Sequence, residues 1–519
     1  MEVALPNHSP NEPAIHKLVD DILEYILLLN ATLTDPGIEH ATTVASSQVC
    51  TRWRSIALNC HSIWSLIIDY RQHSLKWIET LLVRSNPSSL DFGSRINSVY
   101  MEDDRQARGV LELVFNHIHR LRIFNLYVPV SAWELVCSRF LQLPAPNLEF
   151  VRVFFIDMAR AGHLTLPLFD NHAPKLQNLG LLRCSVDFTS PVLTSLTDLF
   201  VRDIDEINAT VFTALDWLNI LGGMPSLRWV TLFGAISSSP ANDTCPVIHL
   251  SALDMLTVDG PFHECVTLVK HLIMPPGCGL RLRCDHAQLG FDQRQLWTII
   301  EKRIDSWSTN ASNRHLIATG PYGFVGIRNL LEEDQAWGMK EREYWKQQYP
   351  HLSDPVMSIN LHLSNPQETL PLFLSLFALF ERTFFDTTYL QLWINHDHGA
   401  EAFLPLIDSF RGFVNLEKLY VVNDSLLRLL FPRLQLQQGS PVLLPALKSL
   451  CFYDVKFQRS SDSILRVADF LQWRKAQGFP VPKIGIDGCW INRKYILRHV
   501  QETVVEIDDT NFSDSDTEE

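Results

Sequence analysis

A short apolar phrase that recurs along the chain constrains the fold more than any other sequence feature. The pattern Leu-x-x-Leu-x-Leu, with other apolar residues allowed, begins at Leu121, Leu148, Leu176, Leu196, Leu227, Leu253, Leu416 and Leu447. Its last three positions alternate as in a β-strand with one buried face. Apart from one long gap, the intervals are 20–31 residues, which leaves room for a helix between strands. The pattern therefore predicts a repeating strand-and-helix unit.

Such a repeat accounts for a length that one compact core could not. The chain has 519 residues, whereas single cores stop growing at roughly 250–300 residues. Chance recurrence is the alternative, but Pro146, Pro174, Pro225 and Pro445 stand at the same place before four of the copies. The predicted fold class is α+β or α/β: an N-terminal three-helix module followed by an irregular leucine-rich-repeat solenoid of short parallel strands and helices.

The pattern divides the chain into four parts. We expect a flexible N-terminus at 1–14, a helical module at 15–70, the solenoid at 71–500 and an acidic disordered tail at 501–519. The repeat is less regular over 285–410. In the wider gap between Val258 and Phe413, strands are still predicted at 280–282, 356–363 and 389–394. Half of the formal net charge of −14 lies in the last 14 residues.

The helical module follows a different periodicity. Apolar residues predict one amphipathic helix from Ile15 to Leu29 and a second from Val44 to Asn59, with Trp64 in a third short segment. Three helices of this size cannot bury all their large side chains by themselves. Part of their apolar surface is therefore expected to meet a partner or the solenoid.

Three stretches of this module resemble the F-box family. Leu18-Val-Asp-Asp-Ile-Leu-Glu-Tyr-Ile26 is similar to the opening helix of that family, and Ser47-Gln-Val-Cys-Thr-Arg-Trp-Arg-Ser-Ile-Ala57 is similar to its second. His61-Ser-Ile-Trp64 is similar to its Pro-x-Leu-Trp segment. Farther along, Trp77–Asp91, His119–Leu121 and Trp473–Pro480 resemble segments of basidiomycete-type fungal F-box proteins.

The chain departs from the family at a few of these positions. Val19 and His61 stand where the family has proline, and Asp20 stands where it has glutamate. Proline at a helix start fixes φ, so its absence removes some rigidity. Asp20 and Asp21 still favour a helix start, because carboxylates are stabilised by the helix dipole there.

The resemblance implies a substrate-recognition subunit of a cullin–RING ubiquitin ligase. The F-box would dock on a Skp-type adaptor and the solenoid would hold a protein target, so the chain would supply proximity and no catalytic group. The family analogy assigns the adaptor contacts to Leu18, Val19, Ile22, Leu23, Ile26, Val49, Cys50, Trp53 and Trp64. The alternative for several of them, Trp53 and Trp64 above all, is that they form the core of the module itself.

Target contacts are expected at the variable position between the last two apolar residues of each repeat, which would point to the concave strand face. The candidates are Asn125, Arg152, Phe200, Thr231, Thr257 and Tyr420. Ordinary solvated surface is the alternative for each, since few positions of an interface carry most of the binding energy.

Other functional classes have little support in the sequence. Motifs for phosphate, dinucleotide, serine-hydrolase or zinc-protease chemistry are absent, so we predict no catalytic residue and no cofactor. His396-Asp-His398 and Cys278 with Cys284-Asp-His286 lack the paired spacing of a structural zinc site, so no metal is expected. A scaffold with a degenerate F-box and a hydrolase within 285–410 are the competing hypotheses.

Charge and processing signals indicate the compartment. A net charge of −14 disfavours nucleic acid, which attracts basic surfaces. The sequence shows neither a signal peptide nor an apolar run near the ~20 residues of a membrane helix. Its ten cysteines have no CxxC pair and are interpreted as free thiols. We therefore expect a cytoplasmic or nuclear protein with no membrane contact.

Overall fold

The computed structural model divides the chain into two units, Met1–Thr210 and Val211–Glu519. The residues it describes are 14–32, 38–94, 99–100, 104–128, 130–155, 162–163, 168–204, 212–238, 245–276, 278–287, 298–299, 302, 315–320, 324–330, 357–363, 388–394, 410–422, 427, 431, 442–453, 455–457, 463–487, 489–491, 500, 504 and 506–511.

Helices dominate the start of the first unit and recur later between strands. The α-helices are Asp20–Ala31 (α1), Ile38–Ser46 (α2), Thr51–Asn59 (α3), His61–Leu66 (α4), Leu75–Arg84 (α5), Asp104–Phe115 (α6), Val130–Leu135 (α7), Ala214–Gly222 (α8), Phe262–His271 (α9) and Ser463–Ala476 (α10). Short 3-10 turns occupy Ala14–Lys17, Ile118–Arg120, Leu168–Asn171, Pro191–Leu193 and Phe410–Gly412, and a π-helical turn occupies Val136–Phe140.

Short strands follow at intervals along both units. Those of the first unit are Leu90–Phe92 (β1), Val99–Tyr100 (β2), Leu121–Val128 (β3), Phe150–Phe155 (β4), Gly162–His163 (β5), Asn178–Leu182 (β6), Cys184–Ser185 (β7) and Asp198–Arg202 (β8). Those of the second unit are Trp229–Phe233 (β9), Ile248–His249 (β10), Met255–Pro261 (β11), Leu272–Ile273 (β12), Gly279–Ala287 (β13), His315–Gly320 (β14), Phe324–Leu330 (β15), Met357–Leu363 (β16), Tyr389–Ile394 (β17), Lys418–Val422 (β18), Ser449–Tyr453 (β19), Lys456–Phe457 (β20), Lys483–Asp487 (β21), Trp490–Ile491 (β22) and Glu506–Asn511 (β23).

In the first unit the main strands form a parallel sheet. β1 and β2 both pair with β3, and β3 pairs with β4 on its other side. β4 then pairs with β6, and β6 pairs with β8. The first apolar strand position of each repeat lies in one row, Phe124, Val151, Leu179 and Leu199. All four side chains are buried. The predicted strands and their shared buried face are therefore confirmed in this unit.

The second unit carries a longer, mostly parallel sheet. Its strand order is β9, β11, β13, β16, β15, β14, β17, β18, β19, β21 and β23. Among the described pairs, only those of β15 with β14 and β16 are antiparallel. The less regular region therefore contains the strands predicted near 280, 356 and 389, together with a β-meander at β14–β16 that the repeat pattern did not indicate. The fold class is confirmed at the level of a mixed α/β protein with a mostly parallel sheet.

The helices α1, α3, α4 and α5 of the first unit close on a common apolar cluster. Its buried members are Leu27, Ala31, Ala57, Cys60, Ile63, Trp64, Ile67 and Leu81. Trp53, Ile56 and Trp77 are partly buried against this cluster. The indole N–H of Trp64 donates to the carbonyl of Ala57 at 2.7 Å, so the largest side chain of the cluster is also satisfied as a hydrogen-bond donor.

The predicted helix boundaries in this region were wrong in two places. The first helix begins at Asp20, not at Ile15, because Val19 is extended and Asp20 and Asp21 supply the acidic first turn that a helix start favours. The second predicted helix is two helices. Cys50 is extended between them and caps α3 through its sulfur, which accepts from the N–H of Trp53 at 3.5 Å. The described residues of 15–70 thus hold four α-helices, not three.

Part of the acidic tail also differs from the prediction of disorder. Residues 506–511 form β23, which pairs with β21 in parallel. The register places Ile507 beside Ile484, in line with Leu450 and Leu419 of the preceding strands. The strand therefore extends the parallel sheet into a segment that carries three acidic residues, Glu506, Asp508 and Asp509. Residues 512–519 lie outside the described part of the chain.

Candidate partner-docking surface

Helix α1 carries apolar side chains on two opposite sides. Leu23, Leu27 and Ala31 are buried against the rest of the module. The other side consists of Ile22, Ile26 and Leu29 of the helix, together with Val19, the extended residue directly before it. The four residues recur at three- and four-residue spacing. We call these four residues the outer face. A helix that is apolar on both sides has more apolar surface than its own module covers.

The outer face is open to solvent along its length. Val19 is 62%, Ile22 46% and Leu29 48% exposed, and Ile26 is half-buried. Tyr25 lies beside them and is also exposed. A contiguous row of this kind marks an interaction site more often than scattered exposed residues do.

An ion pair ties the start of α3 to the start of α1. The guanidinium of Arg52 donates to Asp20 Oδ1 from Nε at 2.9 Å and from Nη2 at 2.6 Å, and Nη2 also donates to the carbonyl of Leu18. Both side chains are well exposed, so the pair adds only about 0.2–1 kcal/mol. Its effect is positional, since it joins the two helix starts that carry Val19 and Val49. Val49, two residues before α3, is itself 61% exposed.

The structure separates the family-derived adaptor residues into three groups by exposure. Leu23 and Trp64 are fully buried, and for these two the alternative of a role in the core of the module fits the structure. Leu18, Ile26, Cys50 and Trp53 are half-buried, and Trp53 packs against the core cluster. Only Val19, Ile22 and Val49 combine an apolar side chain with high exposure.

Sequence reasoning missed two residues of this surface. Tyr25 and Leu29 are exposed on α1, but the family pattern does not single them out. The signal was present in the sequence, because Leu29 lies three residues after Ile26 and seven after Ile22, as a continuing helical stripe requires.

The predicted target-contacting positions of the first unit line up as expected but are not open. Asn125, Arg152, Gly180 and Phe200 form one row across β3, β4, β6 and β8. Asn125 and Arg152 are buried, and Phe200 is half-buried. Asn125 donates from Nδ2 to the carbonyl of Ser94 at 2.8 Å. The expectation of an exposed row is therefore wrong for Asn125 and Arg152.

Neighbouring side chains explain why Arg152 is covered. Its guanidinium lies over the rings of Phe150 and Phe200, at 4.9 and 5.9 Å from their centres. Its aliphatic stem crosses Gly180, where an added Cβ would lie 2.6 Å from Arg152 Cγ. Aromatic rings and a glycine thus accommodate a long side chain lying along the sheet.

The same positions in the second unit vary in burial. Thr231 and Thr257 are direct partners across β9 and β11, with Thr231 buried and Thr257 half-buried. Tyr420 is half-buried on β18, beside Cys451 of β19. None of the six predicted target residues is therefore highly exposed.

A buried arginine that the repeat pattern did not indicate joins the helical module to the first long strand. Arg120, directly before β3, donates to the carbonyls of Leu82 and Ser88 at 3.0 and 2.8 Å and to Ser85 Oγ at 2.8 Å. Burial lowers the pKa of Arg120 from its ordinary value. Because its donors satisfy backbone carbonyls just after and within α5, Arg120 fixes this helix to the strand.

The described residues contain little that resembles a chemical centre. No group of three or more metal-ligating side chains occurs among them. Cys278 and Cys284 are both buried, and His396 and His398 lie outside the described residues. Burial raises the pKa of the Cys60 thiol, with a smaller contribution from Glu24, so this thiol is a core residue. Most of the 285–410 region, where a hydrolase was considered, is also outside the described residues.

Comparison with known proteins leaves the chain without an assigned relative. It matches no protein-family model, and no curated protein is significantly similar to it. Within the helices that the structure describes, none is long and apolar enough to cross a membrane.

Proposed function

We propose that this chain is the substrate-recognition subunit of a cullin–RING ubiquitin ligase. In this proposal the helices α1–α4 form an F-box that docks on a Skp-type adaptor, and the strand-and-helix repeats form a leucine-rich-repeat solenoid that binds the target protein. The chain supplies proximity and orientation, and a separate enzyme supplies the chemistry. It works in the cytoplasm or the nucleus.

The exposed outer face of α1 is the observation that carries the proposal. Val19, Ile22, Ile26 and Leu29 present an apolar ridge on a helix whose opposite side is already buried. Such a ridge suits a hydrophobic groove on a helical partner, in which alternate helix turns supply the anchors. Each fully buried anchor contributes roughly 1.5–3 kcal/mol. This surface contains Val19, Ile22 and Ile26, three positions that the F-box resemblance assigns to adaptor contact.

The departures from the family pattern are compatible with an intact module. His61 begins α4 where the family has proline, and its Nδ1 lies 2.8 Å from the carbonyl of Arg84 at the end of α5. This hydrogen bond gives His61 a structural role that a proline could not fill, because proline has no side-chain donor. Val19 remains extended before α1 without a proline ring.

Affinity for a Skp-type adaptor tests the proposal. The full chain and its Ile22→Asp and Val49→Asp variants would be titrated with purified adaptor, with Val83→Asp as the matched control. Val83 is 66% exposed on α5, so the control places the same charge on an equally accessible apolar site. We expect binding by the wild type and the control. Each docking variant should lose about 2 kcal/mol or more, roughly thirty-fold in Kd.

The same titration addresses the competing hypothesis of a scaffold with a degenerate F-box. That hypothesis was motivated by Val19 and His61, and it expects no adaptor binding by the wild type. An equal loss of affinity in the two docking variants and in the Val83→Asp control would also contradict the proposal. The contact would then not depend on the outer face.

A further inference from the structure

Two histidines of the first unit meet beside the indole of Trp77. His40 is on α2 and His73 is in the turn before α5, with ring centres 4.4 Å apart. Trp77, on α5, donates its indole N–H to His40 Nε2 at 3.0 Å. The backbone N–H of Asp69 donates to His73 Nδ1 at 3.2 Å. Gln106, on α6, donates to the carbonyl of His73 at 3.2 Å and so holds this turn in place.

Both hydrogen bonds require neutral imidazoles. A ring nitrogen accepts only when it carries no proton, so His40 is protonated at Nδ1 and His73 at Nε2. An additional proton on either ring removes an acceptor, and protonation of both places two cations in contact. Both hydrogen bonds are therefore made only while both rings are neutral.

Some of the surrounding groups lower the pKa of His73 and others raise it. Burial, and then the neighbouring His40, lower the pKa of His73 below its ordinary value of 6.5, whereas the Asp69 carboxylate raises it. The guanidinium of Arg84 lies 5.5 Å from the ring centre of Trp77. An unfolded histidine binds a proton near pH ~6.5, whereas folded His73 does so only at a lower pH. Below pH ~6.5 the unfolded state therefore binds more protons than the folded state. The free energy of unfolding consequently decreases as the pH falls below ~6.5.

We propose that His40, His73 and Trp77 form a pH-sensitive latch that holds α2 against α5 at neutral pH and releases it on acidification. Helix α2 leads through residues 47–50 into α3, so its release would disturb the segment that carries Val49. This effect on partner docking rests on the proposed function, whereas the latch itself does not.

Amide hydrogen exchange in α2 of the full chain tests the latch. Protection of segment 38–46 would be compared at about pH 7.5 and about pH 5.5, on either side of the ordinary histidine pKa of about 6.5, after correction for intrinsic exchange rates. The test variant is His40→Gln/His73→Asn. The Gln amide oxygen replaces the Nε2 acceptor and the Asn amide oxygen replaces the Nδ1 acceptor, and neither side chain titrates. His172→Gln, at an exposed position, is the matched control.

In the wild type and the control, we expect protection of α2 to fall several-fold on acidification, while the test variant keeps it nearly constant. An equal fall in the test variant, or no fall in the wild type, would overturn the latch. Should the test variant fail to fold, nitrogen-15 NMR of labelled histidines in the wild type decides the question. Neutral His40 protonated at Nδ1 supports the latch, and the opposite tautomer contradicts it.

Adaptor binding at the same two pH values separates this inference from the proposed function. A chain that does not bind the adaptor at neutral pH contradicts the proposed function alone, because the exchange measurement still judges the latch. If α2 opens at low pH but the chain binds the adaptor equally well at both pH values, the latch stands and its proposed effect on docking is contradicted.

Discussion

The helical module and the parallel strands of the first unit distribute apolar surface in different ways. Helix α1 buries Leu23 and Leu27 but leaves Ile22 and Leu29 exposed. In the strands, the apolar row is buried, and even the polar position beside it is covered at Arg152. The strand region therefore buries its own apolar side chains, whereas the helical module leaves some of them exposed. Apolar side chains that stay exposed without packing inside their own module indicate a binding surface. This difference between the two regions favours α1 as a partner surface.

Removal of the Trp64 side chain is expected to have the largest effect on stability. Trp64→Ala leaves a cavity in the core cluster and removes the donor to the Ala57 carbonyl, so we expect a loss of about 4 kcal/mol. Native-state hydrogen exchange in α3 and α4 of the full chain measures this change. Val49→Ala is the control, because its side chain is already in solvent. A small effect of Trp64→Ala would indicate that the module core lies elsewhere.

Substitution of Arg120, which links α5 to β3, is expected to cause the next largest loss of stability. Arg120→Met keeps most of the buried stem but leaves the carbonyls of Leu82 and Ser88 without their donor. We expect a loss of about 3 kcal/mol in the opening free energy of α5 and β3, since unsatisfied buried groups are costly. Arg122→Met breaks a partly exposed ion pair with Asp91 and should cost less, because solvent can still reach the groups left behind. Equal losses from both variants would rule out a special role for Arg120.

A methyl group at Gly180 tests the packing of the strand row. Gly180→Ala places a Cβ against the Arg152 stem, so we expect a loss of about 2 kcal/mol from overpacking. In the double variant Gly180→Ala/Arg152→Ala the clash is absent. The two losses should therefore not be additive when β4 and β6 exchange is measured. Strict additivity would mean that Arg152 does not lie across Gly180.

The smallest expected effect is that of Ile22→Ala, which is best judged against its buried neighbour Leu23 on α1. Ile22→Ala should change the stability of the module by no more than about 0.5 kcal/mol, because Ile22 is exposed. Leu23→Ala should cost about 2–5 kcal/mol, because Leu23 is buried. Thermal unfolding of the full chain compares the pair directly. Similar losses at both positions would show that the two sides of α1 are not distinct.

The sequence predicted features that depend on local periodicity. All eight apolar phrases fall on strands, because an alternating pattern next to a turn has few other ways to bury its apolar side. The first-turn acids at Asp20 and Asp21 could have located the start of α1. The break at Cys50 could not be predicted from periodicity, since the apolar pattern continues across it and the break depends on a sulfur cap.

Burial of the strand row depends on tertiary contacts that the pattern does not contain. Arg152 is covered by rings from its own strand and from β8, with Gly180 of β6 between them. The same limit applies to α1, where the sequence indicates an apolar helix but not which side the module covers. Leu23 and Ile22 are adjacent and chemically alike, and only the packing of α1 on its neighbours distinguishes them.

Site-specific photo-crosslinking tests the central claim most directly. A photoreactive phenylalanine analogue would replace Tyr25, which is 61% exposed beside the outer face, or Val83, which is exposed on α5. The full chain would then be irradiated together with a purified Skp-type adaptor. We expect a crosslink to the adaptor from position 25 and none from position 83. Crosslinking from position 83 alone, or from neither position although the adaptor binds, would contradict the assignment of the outer face of α1 as the docking surface.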